Sequence, residues 1–289
     1  MRHARPVPEL RAETLPPNVF LEEFVAHSRP CLIKGAVRHW PAMQKWRDRD
    51  YLKSRAGHHN VFYYPHENFV SLKRQQEGET VVTLGEALDR LHDPEVPIGF
   101  SGTNLAAELM ADTGPLPFLG KAQPAFFYPF IRYFIYRNAG TTWHYHPFDE
   151  TLMCQFVGTK RTGLLSLDNP HHLDIRNIFF REDYYDDPAP LAAHAGLNWQ
   201  MADLEEGDAL YIPPLWWHGV TTTSEGFGLT AAVPWRSPLP VIANGIRRMA
   251  GGQADIIGKS AAVNAKDLVA VAKSLGLEKE LARAWEAGN

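Results

Sequence analysis

The stretch "AGTTWHYHPFDETLMCQFVGTKR", residues 139–161, decides how the rest of the chain is interpreted. It places His144 and His146 two positions apart, directly before an apolar run that is typical of a buried strand. In a strand, side chains at i and i+2 project from the same face, about 7 Å apart. Two imidazoles in this arrangement suggest a metal site, and such a site needs at least one further ligand.

A second stretch, "LEEGDALYIPPLWWHGVTT" at residues 204–222, supplies that ligand. His218 opens a predicted strand after a tight turn, a short buried strand and two prolines. Two ligands at i and i+2 and one from a distant antiparallel strand can occupy one triangular face of an octahedral metal. That arrangement leaves positions open for a co-substrate and oxygen. The spacing therefore predicts a metal site formed by His144, His146 and His218.

The secondary-structure pattern of the sequence changes twice along the chain. Residues 1–125 mix short helices and strands, among them a helix that begins after Thr83. Residues 126–237 contain seven short apolar runs separated by turns rich in Gly, Asn or Asp, which predicts an all-β barrel or sandwich. Residues 238–289 return to helical periodicity. We therefore predict N-terminal α/β elements, a β core and a C-terminal helical region with these bounds.

Composition limits the classes of function. The net charge of the 289 residues is −4, which disfavours nucleic-acid binding through a general electrostatic surface. We expect no secretory signal and no membrane span, because the apolar stretches are too short for either. Cys31 and Cys154 lie in apolar runs and are expected to be buried thiols and not a disulfide. Together these features favour a cytoplasmic protein.

Three segments, in order, resemble the JmjC-like cupins of the cupin 8, factor-inhibiting-HIF-like type, which are Fe(II)/2-oxoglutarate oxygenases. They are "PCLIKGAVRHWPAMQKWRDRDYLKSRAG" (30–57), "GTTWHYHPFDETLMCQFVGTKRTGLL" (140–165) and "EEGDALYIPPLWWHGV" (205–220). The last is similar to the family's Gly-Asp-x-Leu-Tyr-Ile-Pro-x-x-Trp-Trp-His motif. The resemblance implies a mainly β fold, in which a double-stranded β-helix (jelly-roll, cupin) barrel carries flanking N-terminal α/β elements and a C-terminal helical region.

Carried over position by position, the resemblance implies that His144 and His218 bind the metal. It further implies that Lys160 pairs with the far carboxylate of 2-oxoglutarate and that the Thr141 hydroxyl helps to bind the same carboxylate. The implied cofactors are Fe(II) and 2-oxoglutarate. The implied function is a hydroxylase that acts on a small molecule or on a peptide or protein side chain.

The chain departs from the family pattern at the third ligand. The family has a carboxylate two positions after the first histidine, where this chain has His146, and the following loop is one residue longer. Either His146 is the third ligand, or the extra residue bulges the strand and Asp149 supplies the carboxylate. We favour His146, because His-x-His keeps the strand geometry without rearrangement.

A three-histidine site has consequences for cofactor and function. Neutral imidazoles accept copper, zinc or nickel as well as iron. Such sites occur in cupin dioxygenases that chelate their substrate directly and do not use 2-oxoglutarate. That activity is one alternative function, and a non-catalytic cupin that binds a metal or a small ligand is another.

The C-terminal region carries an apolar pattern at i, i+3, i+4 and i+7, formed by Leu268, Val271, Ala272 and Leu275. This stripe fits a partner helix, which predicts a homodimer through the C-terminal helices. It fits docking onto the chain's own barrel equally well.

Overall fold

The computed structural model describes residues 4–65, 80–95, 99–126, 128, 130–166, 199–251 and 257–286. Within these ranges the chain is mainly β. Its strands are β1 (Arg5–Pro6), β2 (Glu9–Arg11), β3 (Cys31–Lys34), β4 (Asn60–Tyr64), β5 (Thr80–Thr83), β6 (Gly99–Asn104), β7 (Arg132–Arg137), β8 (Thr141–His144), β9 (Asp149–Val157), β10 (Lys160–Leu165), β11 (Gln200–Leu204), β12 (Ala209–Ile212), β13 (Trp217–Thr222) and β14 (Phe227–Arg236).

The strands form two sheets. The smaller sheet has the order β1-β11-β10-β13-β8, and the larger has the order β2-β3-β12-β9-β14-β7-β6-β4-β5. Each of the seven apolar runs predicted as strands is a strand, namely β7 and β9 to β14. The N-terminal strands extend the larger sheet on both sides, because β6 pairs with β7 and β3 pairs with β12. The proposed bounds of the three regions stay a prediction.

Strand β9 shows why the apolar run after the histidines lacks alternation. Thr151 and Met153 face the space between the two sheets. Leu152 and Cys154 face a separate core that the N-terminal helices build on the outside of the larger sheet. Because β9 is buried on both faces, nearly all of its side chains are either apolar or engaged in hydrogen bonds.

The described helices flank the β core. They are α1 (Pro17–Val19), α2 (Ala42–Lys45), α3 (Arg49–Ala56), α4 (Leu84–His92), α5 (Ala107–Met110), α6 (Leu239–Gly251), α7 (Ile257–Ser274) and α8 (Glu278–Glu286). α1 leads directly into a π-helical turn at Phe20–Val25, and α4 begins as predicted, with a capping box between Thr83 and Glu86.

The C-terminal helices α6, α7 and α8 pack on one end of the β core. Leu268 and Ala272 of the predicted stripe are buried against Ile242 and Ile246 of α6, in a cluster that also includes Leu215. Half of the stripe therefore docks onto the chain's own core, whereas Leu275 is exposed. A homodimer through these helices stays a prediction, as does the cytoplasmic location. Each helix in the part of the chain described here is too short or too polar to cross a bilayer.

Glu150 is a buried acid on the outer face of the larger sheet. Tyr211 donates a hydrogen bond of 2.6 Å to one carboxylate oxygen, and Ser237 donates one of 2.5 Å to the other. Burial raises the pKa of Glu150 to about 7, although both hydrogen bonds lower it. The folded protein therefore retains a proton that the unfolded chain releases at lower pH.

This proton predicts a pH-dependent stability. Between the ordinary pKa of 4.5 and about 7 the native state binds more protons than the unfolded state, so the free energy of unfolding falls as pH rises. The loss is about 3 kcal/mol, and Glu150→Gln should remove this component of the pH dependence. Urea unfolding of both proteins from about pH 5 to 8 measures it. An identical pH slope in Glu150→Gln would contradict the assignment.

Candidate metal centre

The structure brings the three predicted histidines together between the two sheets. His144 ends β8 and is paired directly across the strands with His218 of β13. Their ring centroids lie 4.1 Å apart, and the ring of His146 lies 5.2 Å from that of His144 and 5.0 Å from that of His218. One nitrogen from each imidazole lies within 4.8 Å of the other two. Three nitrogens at this separation can hold one metal ion.

His146 reaches the group from outside the strand. β8 ends at His144, so the regular i, i+2 geometry expected from the sequence does not apply. Instead the carbonyl of His146 accepts a 2.7 Å hydrogen bond from the amide of Leu215. Leu215 has a φ of +65°, a region that side chains with a Cβ rarely adopt. The turn that leads to His218 thus also holds the backbone of His146.

A bulge places Thr141 on the same side as His144. Residues three apart in a regular strand face opposite sides of the sheet. Here the pairing shifts between His218 and Val220, so that Gly219 alone faces two residues of β8. The bulge restores a common face, and both Thr141 and His144 line the cavity between the sheets.

Hydrogen bonds orient two of the imidazoles. Nδ1 of His218 lies 2.9 Å from the carbonyl oxygen of Trp216 and therefore donates to it. Nδ1 of His146 lies 3.3 Å from the hydroxyl of Thr151. These contacts leave Nε2 of each ring available as a metal ligand. Burial first, and then the charge of neighbouring imidazoles, lower the pKa of both residues well below 6.5, so both are neutral, as metal binding requires.

The cavity around the imidazoles is lined by both sheets and is partly open to solvent. Its lining includes Thr141 and Lys160, together with Arg132 and several apolar side chains. Among the lining residues that the structure describes, none is Asp or Glu. The cavity wall is therefore cationic wherever it is charged.

Lys160 and Thr141 each present a polar group to this cavity. Lys160 is only 5% exposed, and its Nζ lies 3.9 Å from the centroid of the Tyr136 ring. Burial lowers the pKa of Lys160 to about 7. The hydroxyl of Thr141 is buried and has no hydrogen-bond partner among the described residues. A buried amine and an unsatisfied hydroxyl are costly unless a ligand binds them.

Asp149, the alternative third ligand, is engaged elsewhere. It is the first residue of β9, and its carboxylate accepts hydrogen bonds from the backbone amides of Phe126 (2.6 Å) and Tyr128 (3.2 Å). The ligand group that the described residues form here contains the three histidines and does not contain Asp149. The carboxylate thus anchors the segment before β7.

Several histidines lie outside the cavity. His58 and His59 lie at the surface and meet Glu108 there in a second group of ligand atoms. His92 is half-buried against Phe227, and burial lowers its pKa to about 4. Others, among them His66, His171, His172 and His194, lie outside the described residues.

Sequence reasoning missed Arg132, Tyr136 and Thr151. Arg132, Phe134 and Tyr136 share one face of β7 by simple alternation, and that face is turned toward the cavity. A charged residue within a mostly apolar predicted strand was the available signal. Its importance depends on which face is internal, and the apolar runs did not determine that.

Comparison with known proteins agrees with this fold. Residues 16–238 match the Cupin-like domain family, so the chain belongs to that family, and it is a cupin of the JmjC type. The predicted fold class is therefore confirmed. Members of the JmjC cupin family are Fe(II)- and 2-oxoglutarate-dependent oxygenases.

Two curated relatives illustrate the similarity. The chain is 27% identical over 259 residues to "Jumonji C domain-containing protein 5" of Drosophila melanogaster, a match that covers 78% of this chain and 59% of the relative. It is 28% identical over 228 residues to "Lysine-specific demethylase JMJ30" of Arabidopsis thaliana, covering 70% and 49%. The chain thus spans about half to three fifths of the length of these relatives.

Proposed function

We propose that this protein is an Fe(II)- and 2-oxoglutarate-dependent hydroxylase that acts on a small molecule or on a peptide or protein side chain. One observation carries the proposal. Three imidazoles, a buried amine and a hydroxyl without a partner among the described residues line the same cavity. Metal ligands at one end and carboxylate-binding groups at the other are what a chelating dicarboxylate requires.

In this proposal His144, His146 and His218 hold the metal. Three nitrogen donors suit Fe(II), and they also suit copper, zinc or nickel. When bound, the metal and 2-oxoglutarate supply the oxidising chemistry, in which oxygen is consumed and 2-oxoglutarate is converted to succinate and carbon dioxide. The hydrogen bond from His218 to the carbonyl of Trp216 fixes the ring that faces the metal.

Lys160 and Thr141 bind the far carboxylate of 2-oxoglutarate. Lys160 loses hydration by burial, and an approaching carboxylate restores its charged form. Thr141 donates its hydroxyl hydrogen to the same group, which satisfies an otherwise unpaired atom. The ring of Tyr136 holds the ammonium from one side, because a hydrogen bond from Gln155 to the Tyr136 hydroxyl fixes that ring.

The remaining wall keeps water away from the reacting groups. Phe134, Met153, Ile212 and Val220 line the cavity with apolar surface from both sheets. Such a wall lets a C–H group of the substrate lie near the metal without competing hydrogen bonds. It also strengthens the electrostatic contacts of Lys160, because the local dielectric is low.

Two rival activities are less well supported. A three-histidine dioxygenase that chelates its substrate directly gives no role to Lys160 and Thr141 in the cavity wall. A non-catalytic cupin that binds a metal or a small ligand gives them no role either. The name of the Arabidopsis relative adds demethylation of a protein lysine as a further candidate. Two cationic side chains in the cavity wall, Lys160 and Arg132, oppose the entry of a cationic lysine.

Reconstitution tests the proposed function. Chelator-treated protein receives Fe(II), Cu(II) or Zn(II), and succinate formation from 2-oxoglutarate is followed in air. We expect succinate only with Fe(II), because three imidazoles hold that metal and the co-substrate cannot be oxidised without it. His146→Ala should reduce the rate about 100-fold through loss of a ligand.

Two controls separate the alternatives. His59→Ala removes a histidine of the surface group and should leave the rate unchanged. Asp149→Asn should keep most of the activity, since Asp149 binds backbone amides. If Asp149→Asn is the fatal change and His146→Ala is tolerated, the ligand set is wrong. If the metal binds but no succinate forms, direct chelation or a binding function takes the place of this proposal.

The low pKa of Lys160 predicts that 2-oxoglutarate binding takes up a proton. The amine is largely neutral above its pKa of about 7, and a carboxylate beside it raises that pKa. At about pH 8.5 binding should therefore take up close to one proton, and affinity should fall as pH rises above 7. Calorimetry in two buffers of different ionisation enthalpy measures the uptake.

Lys160→Met should abolish this uptake. Arg161→Gln is the matched control, because Arg161 is the adjacent cation of β10 and forms a 2.7 Å ion pair with Asp203. An affinity that does not change with pH, with no proton taken up by the wild type, would contradict the role given to Lys160.

A further inference from the structure

Arg132 is the second basic residue that lines the cavity, and the proposed function assigns no role to it. It lies on the inner face of β7 and lines the same cavity as the three imidazoles. A ligand bound to Arg132 would therefore lie in the same cavity as the metal centre.

The surroundings of Arg132 hold the guanidinium in place. Its central carbon lies 3.8 Å from the centroid of the Tyr128 ring and 5.6 Å from that of Phe134. Tyr128 is itself anchored, because its backbone amide donates to the carboxylate of Asp149. Stacking on aromatic rings uses the flat face of a guanidinium and leaves its edge donors for another partner.

At least one of these donors has no partner within the described chain. Nε of Arg132 is buried and donates to no acceptor among the described residues. Asp149 attracts the charge, but it does not line the cavity and its oxygens accept from backbone amides. Burial outweighs this attraction and lowers the pKa of Arg132. An unpaired N–H on a desolvated cation is a strong site for an anion.

The charge balance points the same way. One 2-oxoglutarate brings two carboxylates, of which the proposed function assigns one to the metal and one to Lys160. The described lining contains no Asp or Glu, and the metal ligands are neutral imidazoles. With the co-substrate bound, Arg132 therefore still meets no carboxylate of the described cavity lining, and Asp149 attracts it only from outside the cavity.

We propose that Arg132 forms a carboxylate-binding subsite, and that the molecule to be oxidised is held there by an anionic carboxylate group beside the metal centre. The claim that the occupant of this subsite is the substrate rests on the proposed function. A guanidinium edge binds a carboxylate with two parallel hydrogen bonds, which fixes orientation as well as position. The same charge selects against cationic substrates.

A pair of probes of matched shape and opposite charge tests the subsite. Butyrate and n-propylammonium are titrated into protein that carries Mn(II) and saturating 2-oxoglutarate, without oxygen. Paramagnetic broadening of the probe protons reports binding close to the metal and requires no turnover. We expect butyrate to bind at least about tenfold more tightly than n-propylammonium.

Three variants assign the effect to Arg132. Arg132→Gln should weaken butyrate by about tenfold and remove the preference for the anion, and Arg132→Lys should restore part of it. Arg236→Gln is the matched control. Arg236 also has a buried Nε without a partner among the described residues and stacks on Phe126, but it does not line the cavity. This control should keep the affinity for butyrate.

Two results would overturn the subsite. In the first, butyrate binds Arg132→Gln as tightly as it binds the wild type. In the second, Arg132→Gln weakens 2-oxoglutarate as much as Lys160→Met does, which would make Arg132 a co-substrate group. Failure of the proposed function is seen separately, as wild-type protein that does not bind 2-oxoglutarate. The butyrate titration on the Mn(II) protein alone then still compares wild type with Arg132→Gln.

Discussion

The antiparallel pairing of β8 with β13 is the constraint on which the site depends. It sets His144 directly opposite His218, and its bulge at Gly219 turns Thr141 into the same cavity. The turn before β13 adds the hydrogen bond from the Leu215 amide to the carbonyl of His146. Two segments far apart in sequence thereby hold the three imidazoles together.

The site differs electrostatically from one built with two histidines and a carboxylate. Three imidazole ligands bring no negative charge, so the full charge of a bound metal would remain in the cavity, whose lining also includes Lys160 and Arg132. Anionic ligands are then the natural partners, both as co-substrate and as substrate. The replacement of a carboxylate by His146 and the presence of Arg132 thus favour the same chemistry.

Much of the fold and of the candidate site could be predicted from the sequence, and the features that could not be predicted have physical reasons. Apolar runs and turn residues predicted the strands, because burial and turn geometry act locally. The three histidines and Lys160 lie in motifs of fixed spacing, and the structure places them around one cavity. The bulge at Gly219 and the inward face of Arg132 depend on strand register, which is a property of paired strands. Asp149 was ambiguous because its backbone partners, Phe126 and Tyr128, lie more than twenty residues earlier in the chain.

The central claim is that three histidines, and no carboxylate of the protein, bind the metal. X-ray absorption of the Fe(II)-loaded protein counts imidazole ligands through their multiple-scattering pattern. We predict three imidazoles in the wild type, two in His146→Ala and three in Asp149→Asn. Two imidazoles in the wild type, with a spectrum that changes in Asp149→Asn but not in His146→Ala, would contradict the account.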